Sequence, residues 1–293
     1  MFQYFRACRV DSWLGWVFSF GLGSVLFDLA PFERGVIVFI AFSLVTASVF
    51  VLNQYFDREV DRKNRVKSCL PVASGRMTPR KALIFSLSLS ILGLILVFIV
   101  DLHLSLLFLV YLGLWTAYSA PPFKLKAVPV ADFVVSGLGA GLLPFFMGLG
   151  MIHHLNASVS SIILAVTPLI LIHSGCHIIQ AVGDYEADSK TGINTFAVRY
   201  GKKKGVIVAG FMLLTAFFSP FVYSAFGLLS YTHLLLFFIF LPLSIPVAMR
   251  YADLFKKPST RNVVNLQKIA RKYGTIALAV VWAYTLFVKI AGF

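Results

Sequence analysis

Apolar runs of about 20 residues recur along the whole chain, the length a helix needs to cross about 30 Å of hydrocarbon at about 1.5 Å per residue. They fall at 12–30, 35–53, 82–100, 104–122, 128–150, 159–183, 205–229, 231–249 and 273–292. These runs fill most of the 293 residues, so one transmembrane domain over 1–293 is expected, with no separate soluble part. With 59% hydrophobic and only 13% charged residues, and a mean hydropathy of +0.85, the chain belongs in lipid. A transmembrane β-barrel is excluded, because its strands alternate in polarity whereas a run such as 82–100 is continuously apolar. The expected fold class is an all-α integral membrane protein, a bundle of about nine transmembrane helices. The first run has no small-residue cleavage site and a second follows closely, so it is expected to stay as a span.

A formal charge of +14 would suggest nucleic-acid binding in a soluble chain. Here the positive residues read first as topology, and no nucleic-acid partner is expected. If every run crosses, 24 of the 26 Lys and Arg residues fall on one side, and only Arg34 and Lys289 remain on the other. The positive-inside rule makes that side cytoplasmic, with the N-terminus inside and the C-terminus outside a cell membrane crossed many times. The opposing connectors, near 28–34, 101–103, 153–156 and Gly227, are short and nearly uncharged. Cys8, Cys69 and Cys176 show no paired spacing, which suggests neither disulfides nor a thiolate metal site, only small buried apolar residues.

Each of the 12 acidic residues needs a reason to sit near a bilayer, and half of them occupy two five-residue windows. Asp57, Glu59 and Asp61 follow the second run in NQYFDREVD, and Asp184, Glu186 and Asp188 follow the sixth in GDYEAD. Both windows emerge on the basic side, where they can face each other. Continued as helix, the second run sets Asn53, Asp57 and Asp61 at i, i+4 and i+8 on one stripe, and Asp184 and Asp188 repeat the step. Four carboxylates without His or Cys make an all-oxygen environment suited to Mg2+, which keeps waters and phosphate oxygens as further ligands. The acids lie at helix C-termini, where the dipole disfavours negative charge, so a bound cation explains them better than a structural role.

Clustered carboxylates in a field of Arg and Lys suit a metal-bridged polyanion, and a diphosphate fits that description. Arg65, Lys67, Arg76, Lys124, Lys190 and Arg199 are the candidate phosphate contacts, Arg through a bidentate fork and Lys as a point charge. Lys202, Lys203 and Lys204 read as topological charge in a solvated loop.

These residues resemble the UbiA superfamily of intramembrane prenyltransferases. Asn53, Asp57 and Asp61, followed by RKN and by ASGR at 73–76, are similar to its first aspartate-rich motif. YSAPPFKLK at 118–126 is similar to its YS-x-PP-x-x-LK segment, and DYEADSKTGINTFAVRYG at 184–201 to its second motif. The resemblance implies a nine-helix bundle around a central cavity, two Mg2+ ions between the motifs, and a prenyl diphosphate whose head sits on them. It implies Asp57, Asp61, Asp184 and Asp188 as Mg2+ ligands, Asn53 orienting metal or diphosphate, Lys124, Arg65 and Lys190 on phosphate, and Tyr118 near the reacting carbon. His177 and Gln180 resemble members that prenylate nonaromatic lipids. Two positions depart from the pattern: Gln54 stands where many members have Asp, and Leu70 where Arg is common.

The expected reaction is Mg2+-dependent transfer of a prenyl group to a lipophilic acceptor, aromatic or lipid, by ionisation of the allylic diphosphate. Mg2+, Lys and Arg stabilise the leaving group's charge, and a cavity inside lipid keeps the allylic cation from water. A secondary transporter is the non-enzymatic alternative, but it would place acids near the midplane and not at one membrane face. A membrane CDP-alcohol phosphotransferase would carry glycine and arginine between closely spaced acids, and these are missing. Gly137, Gly139 and Gly141 suggest close helix approach, and Pro144, Pro168, Pro220, Pro242 and Pro246 suggest kinks. Asp132 is expected to pair with Lys124 or Lys126, and the segment 256–272, with six basic residues, to form a helix on anionic headgroups.

Overall fold

The computed structural model describes residues 2–28, 30–152, 157–228 and 234–291, which contain helices and no strand. The 153–156 connector and residues 29, 229, 231–233 and 292 of the expected runs lie outside the described residues. In chain order the helices are α1 (Phe2–Cys8), α2 (Leu14–Val25), α3 (Phe32–Lys63), α4 (Pro79–Val100), α5 (Leu102–Ser119), α6 (Ala131–Ser136), α7 (Leu143–Leu149), α8 (Val159–Thr191), α9 (Phe196–Tyr200), α10 (Lys202–Ala225), α11 (Leu234–Lys256) and α12 (Thr260–Ala291). A π-helical turn, Gly137–Leu142, joins α6 to α7.

Six spans among the described residues are long and apolar enough to cross a membrane: α3, α4, α5, the composite Ala131–Leu149, α8 and α10. Helix α2 is shorter than the run that foreshadowed it, 12 residues, because the backbone at Trp13 is not helical and the regular helix ends at Val25. Lipid exposure is explicit on α4, where Ile84, Leu87, Ile91, Leu92, Ile95, Phe98 and Ile99 are all exposed. The opposite side of α4 is small: Gly93 packs against Val45 of α3, and Ser86 and Ser90 donate to Ser48 at 2.9 and 2.8 Å.

Glycines set the closest approach between helices. A Cβ on Gly23 would stand 2.0 Å from the Phe145 carbonyl oxygen, and one on Gly148 2.0 Å from that of Phe20, so α2 and α7 cross backbone to backbone. The three glycines of the π turn divide between two partners: Gly137 and Gly141 meet α8, and Gly139 meets the Trp115 ring. Pro168, Pro220, Pro242 and Pro246 lie inside α8, α10 and α11, while Pro144 begins α7.

Three expectations are corrected. Cys69 and Cys176 are exposed and Cys8 only half-buried, so the cysteines are not small core residues. Residues 260–272 do not form a separate surface helix; they are the first turns of α12, held to the bundle by Thr260 donating to the Gly183 carbonyl at 2.9 Å and by Arg271 on Asp11 at 2.8 Å. Asp132 pairs with neither Lys124 nor Lys126. It is fully buried and accepts the backbone N–H groups of Phe133 and Phe196 at 2.9 and 2.8 Å, the nearest donors available to a carboxylate in an apolar wall.

At one end of the bundle lie the tails of α3 and α8, the α5–α6 connection and the start of α12; at the other, Arg34 meets Asp101 at 2.8 Å.

Candidate active site

A cavity of about 2120 Å³ opens between these helices and is lined by α2, α3, α5, α8, α10, α11 and α12. Asn53, Asp57 and Asp61 all line it, as the i, i+4, i+8 spacing on α3 requires, and so do Asp184 and Asp188 from α8. Glu59 and Glu186, out of phase with those stripes, point outward to Arg62 and Lys202. Asp57, Asp61 and Asp188 are buried, at 8%, 4% and 8% exposure.

The two acid windows meet through the loop after α3. Asn64 donates to Asp184 at 2.8 Å, and Lys67 reaches the other oxygen of that carboxylate at 2.7 Å. Burial pulls the Lys67 ammonium down, but Asp184 and Asp61 outweigh it and hold the group above the usual lysine range. On the facing side Asn53 donates to Asp57 at 2.7 Å and to Ser119 at 3.2 Å, and Lys126 forms an ion pair with the second Asp57 oxygen. Arg9, at the turn before α2, also lines the cavity; burial lowers its pKa, opposed by the charges of Asp61, Asp11 and Asp184.

The candidate phosphate contacts separate. Lys67 lines the cavity, whereas Arg65, Arg76 and Lys190 are exposed and, with Lys124, lie outside the lining. Arg76 is engaged with Ser74 and the Cys69 carbonyl. The lysine that enters from the α5–α6 connection is Lys126, not Lys124: the backbone turns left-handed at Lys124, with φ 41°, and the short 3-10 helix Leu125–Ala127 carries Lys126 inward. Sequence reasoning missed this, although the LK ending the YSAPPFKLK segment is Leu125 and Lys126. It also missed the role of Asn64, which closes the RKN of the first motif, and Arg9, which carried no signal beyond its charge. Lys202 is not a free loop charge, since it pairs with Glu186 at 2.6 Å.

Above the acids the cavity wall turns aromatic. Trp16 stacks on Trp115 at 4.6 Å, Tyr118 meets Trp115 edge-on at 5.2 Å, and its hydroxyl lies 3.1 Å from His177 Nε2. Gln180 joins them in the lining. Leu70 lines the cavity as an apolar residue; Gln54 does not, being buried behind α3 where it donates to the Ala7 carbonyl at 2.7 Å.

Among the described residues no three His, Cys, Asp or Glu side chains gather closely enough to share one ion. The donor set nonetheless fits a hard divalent cation: every donor is oxygen, and the Lys126 and Lys67 ammonium groups on Asp57 and Asp184 stand where cations are favoured.

A model of the UbiA prenyltransferase family matches residues 15–271. Digeranylgeranylglyceryl phosphate synthase of Methanothrix thermoacetophila is 30% identical over 188 residues, 64% of this chain and 67% of that one. Chloroplastic 2-acylphloroglucinol 4-prenyltransferase of Humulus lupulus is 32% identical over 172 residues, 56% of this chain and 40% of that one. A UbiA homolog from Archaeoglobus fulgidus, solved bound to GPP and Mg2+, superposes with a TM-score of 0.76 at 24% identity, covering 98% of this chain and 99% of that one. The apo structure of a UbiA homolog from Aeropyrum pernix K1 gives a TM-score of 0.63 at 16% identity over 94% and 97%. At these identities the two structures speak for the fold.

Proposed function

The chain belongs to the UbiA prenyltransferase family, and from that premise we propose that, as one transmembrane domain, it moves a prenyl group from a prenyl diphosphate to a lipophilic acceptor within the membrane. The observation that carries this reading is the pair of acid windows facing one cavity, with Asp57 and Asp184 each already holding an ammonium group. Asp57, Asp61, Asp184 and Asp188 would hold Mg2+, two ions by the reading of the two motifs. Bound there, Mg2+ supplies Lewis-acid neutralisation of the charge that gathers on the diphosphate as the allylic carbon–oxygen bond breaks.

The chain's own residues do the rest. Lys67 and Lys126, displaced from the carboxylates, take phosphate oxygens, and Asn53 and Asn64 orient the head from the two sides. Arg65, Arg76, Lys124 and Lys190 add positive potential at the mouth, which draws the donor in. Trp16, Trp115 and Tyr118 present ring faces and edges that exclude water and stabilise the allylic cation. Tyr118, His177 and Gln180 form the acceptor side. The lining runs along α8 from Ser161 to Asp188, about 40 Å at about 1.5 Å per residue, room for a long tail that never needs an aqueous route. The acid windows belong on the cytoplasmic face, as the one-sided distribution of Lys and Arg requires.

The test is incubation of purified protein with labelled prenyl diphosphates, Mg2+ and a lipid extract, followed by identification of the prenylated product. Asp57→Ala and Asp184→Ala should abolish diphosphate release while the protein stays folded in detergent. Full release in either variant removes the metal assignment.

A further inference from the structure

Five cationic side chains line the cavity, and four of them are accounted for. Lys67, Lys126 and Arg271 hold Asp184, Asp57 and Asp11, and Arg6 is exposed with its guanidinium over the Phe2 ring at 5.8 Å. The fifth, Arg9, is half-buried and makes no ion pair and no side-chain hydrogen bond among the described residues. It feels the charges of Asp61 and Asp184 without touching either carboxylate, so its N–H donors remain free for a ligand.

The backbone that carries Arg9 is held in a costly conformation. Its φ of 49° is left-handed, which a residue with a Cβ adopts only when its surroundings impose it. Two buried side chains do so by taking the carbonyls just before it: Gln54 Nε2 donates to Ala7 at 2.7 Å, and Trp13 Nε1 to Cys8 at 2.9 Å. The guanidinium then settles over the Phe50 ring, 5.4 Å from its centre. Phe50 lies one turn before Asn53 on α3, on the stripe that continues through Asp57 and Asp61, so the guanidinium stands at the edge of the acid site. A planar fork laid on a ring, and left without a carboxylate by a strained and pinned turn, suits an oxyanion that arrives with the substrate.

The two departures from the family pattern meet at this residue. Leu70, where Arg is common, presents an apolar side chain to the cavity, so the loop after α3 contributes the Lys67 ammonium to the lining and no guanidinium. Gln54, where many members have Asp, supplies the Ala7 carbonyl with an N–H that a carboxylate lacks. We propose that Arg9 binds a phosphate of the donor's diphosphate in place of a guanidinium at position 70, with Gln54 as the positioning residue that holds its turn. The inference rests on the prenyl-transfer reading and adds to it a binding residue from a segment outside all three motifs.

The test is calorimetric titration of the purified protein in detergent, first with Mg2+ alone and then with inorganic pyrophosphate in saturating Mg2+. Arg9→Gln should weaken pyrophosphate binding by about 10- to 100-fold, the range for hydrogen bonds to a charged group. Mg2+ alone should bind as well as before or tighter, because a positive neighbour of Asp61 and Asp184 has gone. Arg9→Lys should recover only part of the loss, since an ammonium has no rigid fork. Leu70→Arg should restore most of the affinity to Arg9→Gln. Gln54→Met should weaken pyrophosphate binding in the wild-type background and add little to Arg9→Gln, as residues acting through one group do. With pyrophosphate bound, dodecyl phosphate, the probe for an acidic acceptor, should bind Arg9→Gln and wild type alike. Unchanged pyrophosphate affinity in Arg9→Gln, a parallel loss of Mg2+ affinity, no recovery with Leu70→Arg, or full additivity of Gln54→Met overturns the proposal. A loss confined to dodecyl phosphate also overturns it, and assigns Arg9 to the acceptor. Wild-type protein that binds no pyrophosphate in Mg2+ would instead remove the prenyl-diphosphate reading beneath it.

Discussion

The Lys67 ammonium and the Asp184 carboxylate meet at 2.7 Å across 117 residues of sequence, joining the loop after α3 to the tail of α8. Their side chains are 23% and 16% exposed, so the pair is shielded and not a surface ornament. Removing one member of a buried pair costs about 3–5 kcal/mol because the other charge is stranded.

Lys67→Met should therefore lower the unfolding temperature of the detergent-solubilised protein in Mg2+-free buffer, and Mg2+ should recover most of the loss by resting on Asp184. Thermal unfolding with and without Mg2+ checks this. An equal loss in both conditions would make Lys67 a structural residue alone.

Lys126 and Lys124 are two residues apart and face different surroundings, the cavity and its outside. Lys126→Met should raise the KM for prenyl diphosphate at least tenfold, while Lys124→Met should change it less than about threefold, as expected of a half-buried charge outside the cavity that acts at long range. Steady-state diphosphate release measures both, and equal effects would refute the geometric distinction.

Asp101 caps α5 by accepting from the Leu104 N–H at 2.9 Å and pairs with Arg34 at 2.8 Å. The Leu104 hydrogen bond, with Arg34 beside it, holds the carboxyl below its usual range. Because the folded pKa is the lower one, its stabilisation is present above about pH 3.9, the unfolded value, and is lost as pH falls through the folded pKa. Asp101→Asn, which keeps a capping oxygen, should be about 1 kcal/mol less stable than wild type at pH 6, and the gap should close towards pH 3. A gap that stays constant over that range would contradict the assignment.

Gly23→Ala should destabilise by about 1–3 kcal/mol, the usual result of overpacking, because the added methyl meets the Phe145 carbonyl and backbone cannot step aside. Gly35→Ala, with nothing within 4 Å of the new methyl, is the control and should be neutral or stabilising. Chemical unfolding of the two variants in detergent separates them.

What the sequence made legible was whatever depends on helical period. Asn53, Asp57 and Asp61 share the cavity because 3.6 residues per turn puts them there, and the out-of-phase Glu59 and Glu186 turn away for the same reason. What stayed hidden depends on loop backbone: no periodicity says that Lys124 turns left-handed and hands the inward position to Lys126, or that Asn64, one residue beyond the helix, reaches across to Asp184. Run length likewise overestimated α2 and misjudged α12, since an apolar stretch marks where helix can lie in lipid but not where a helix ends; the polar turns at 260–272 continue α12 because they pack on α8. Asp132 shows the converse, a carboxylate whose nearest partners are two backbone amides that no charge count reveals.

The Asp132 carboxylate bridges α6 and the first residue of α9. The strap between α8 and α10 is thereby riveted to the neighbouring span, so a carboxylate outside the cation site buttresses the second acid window from behind.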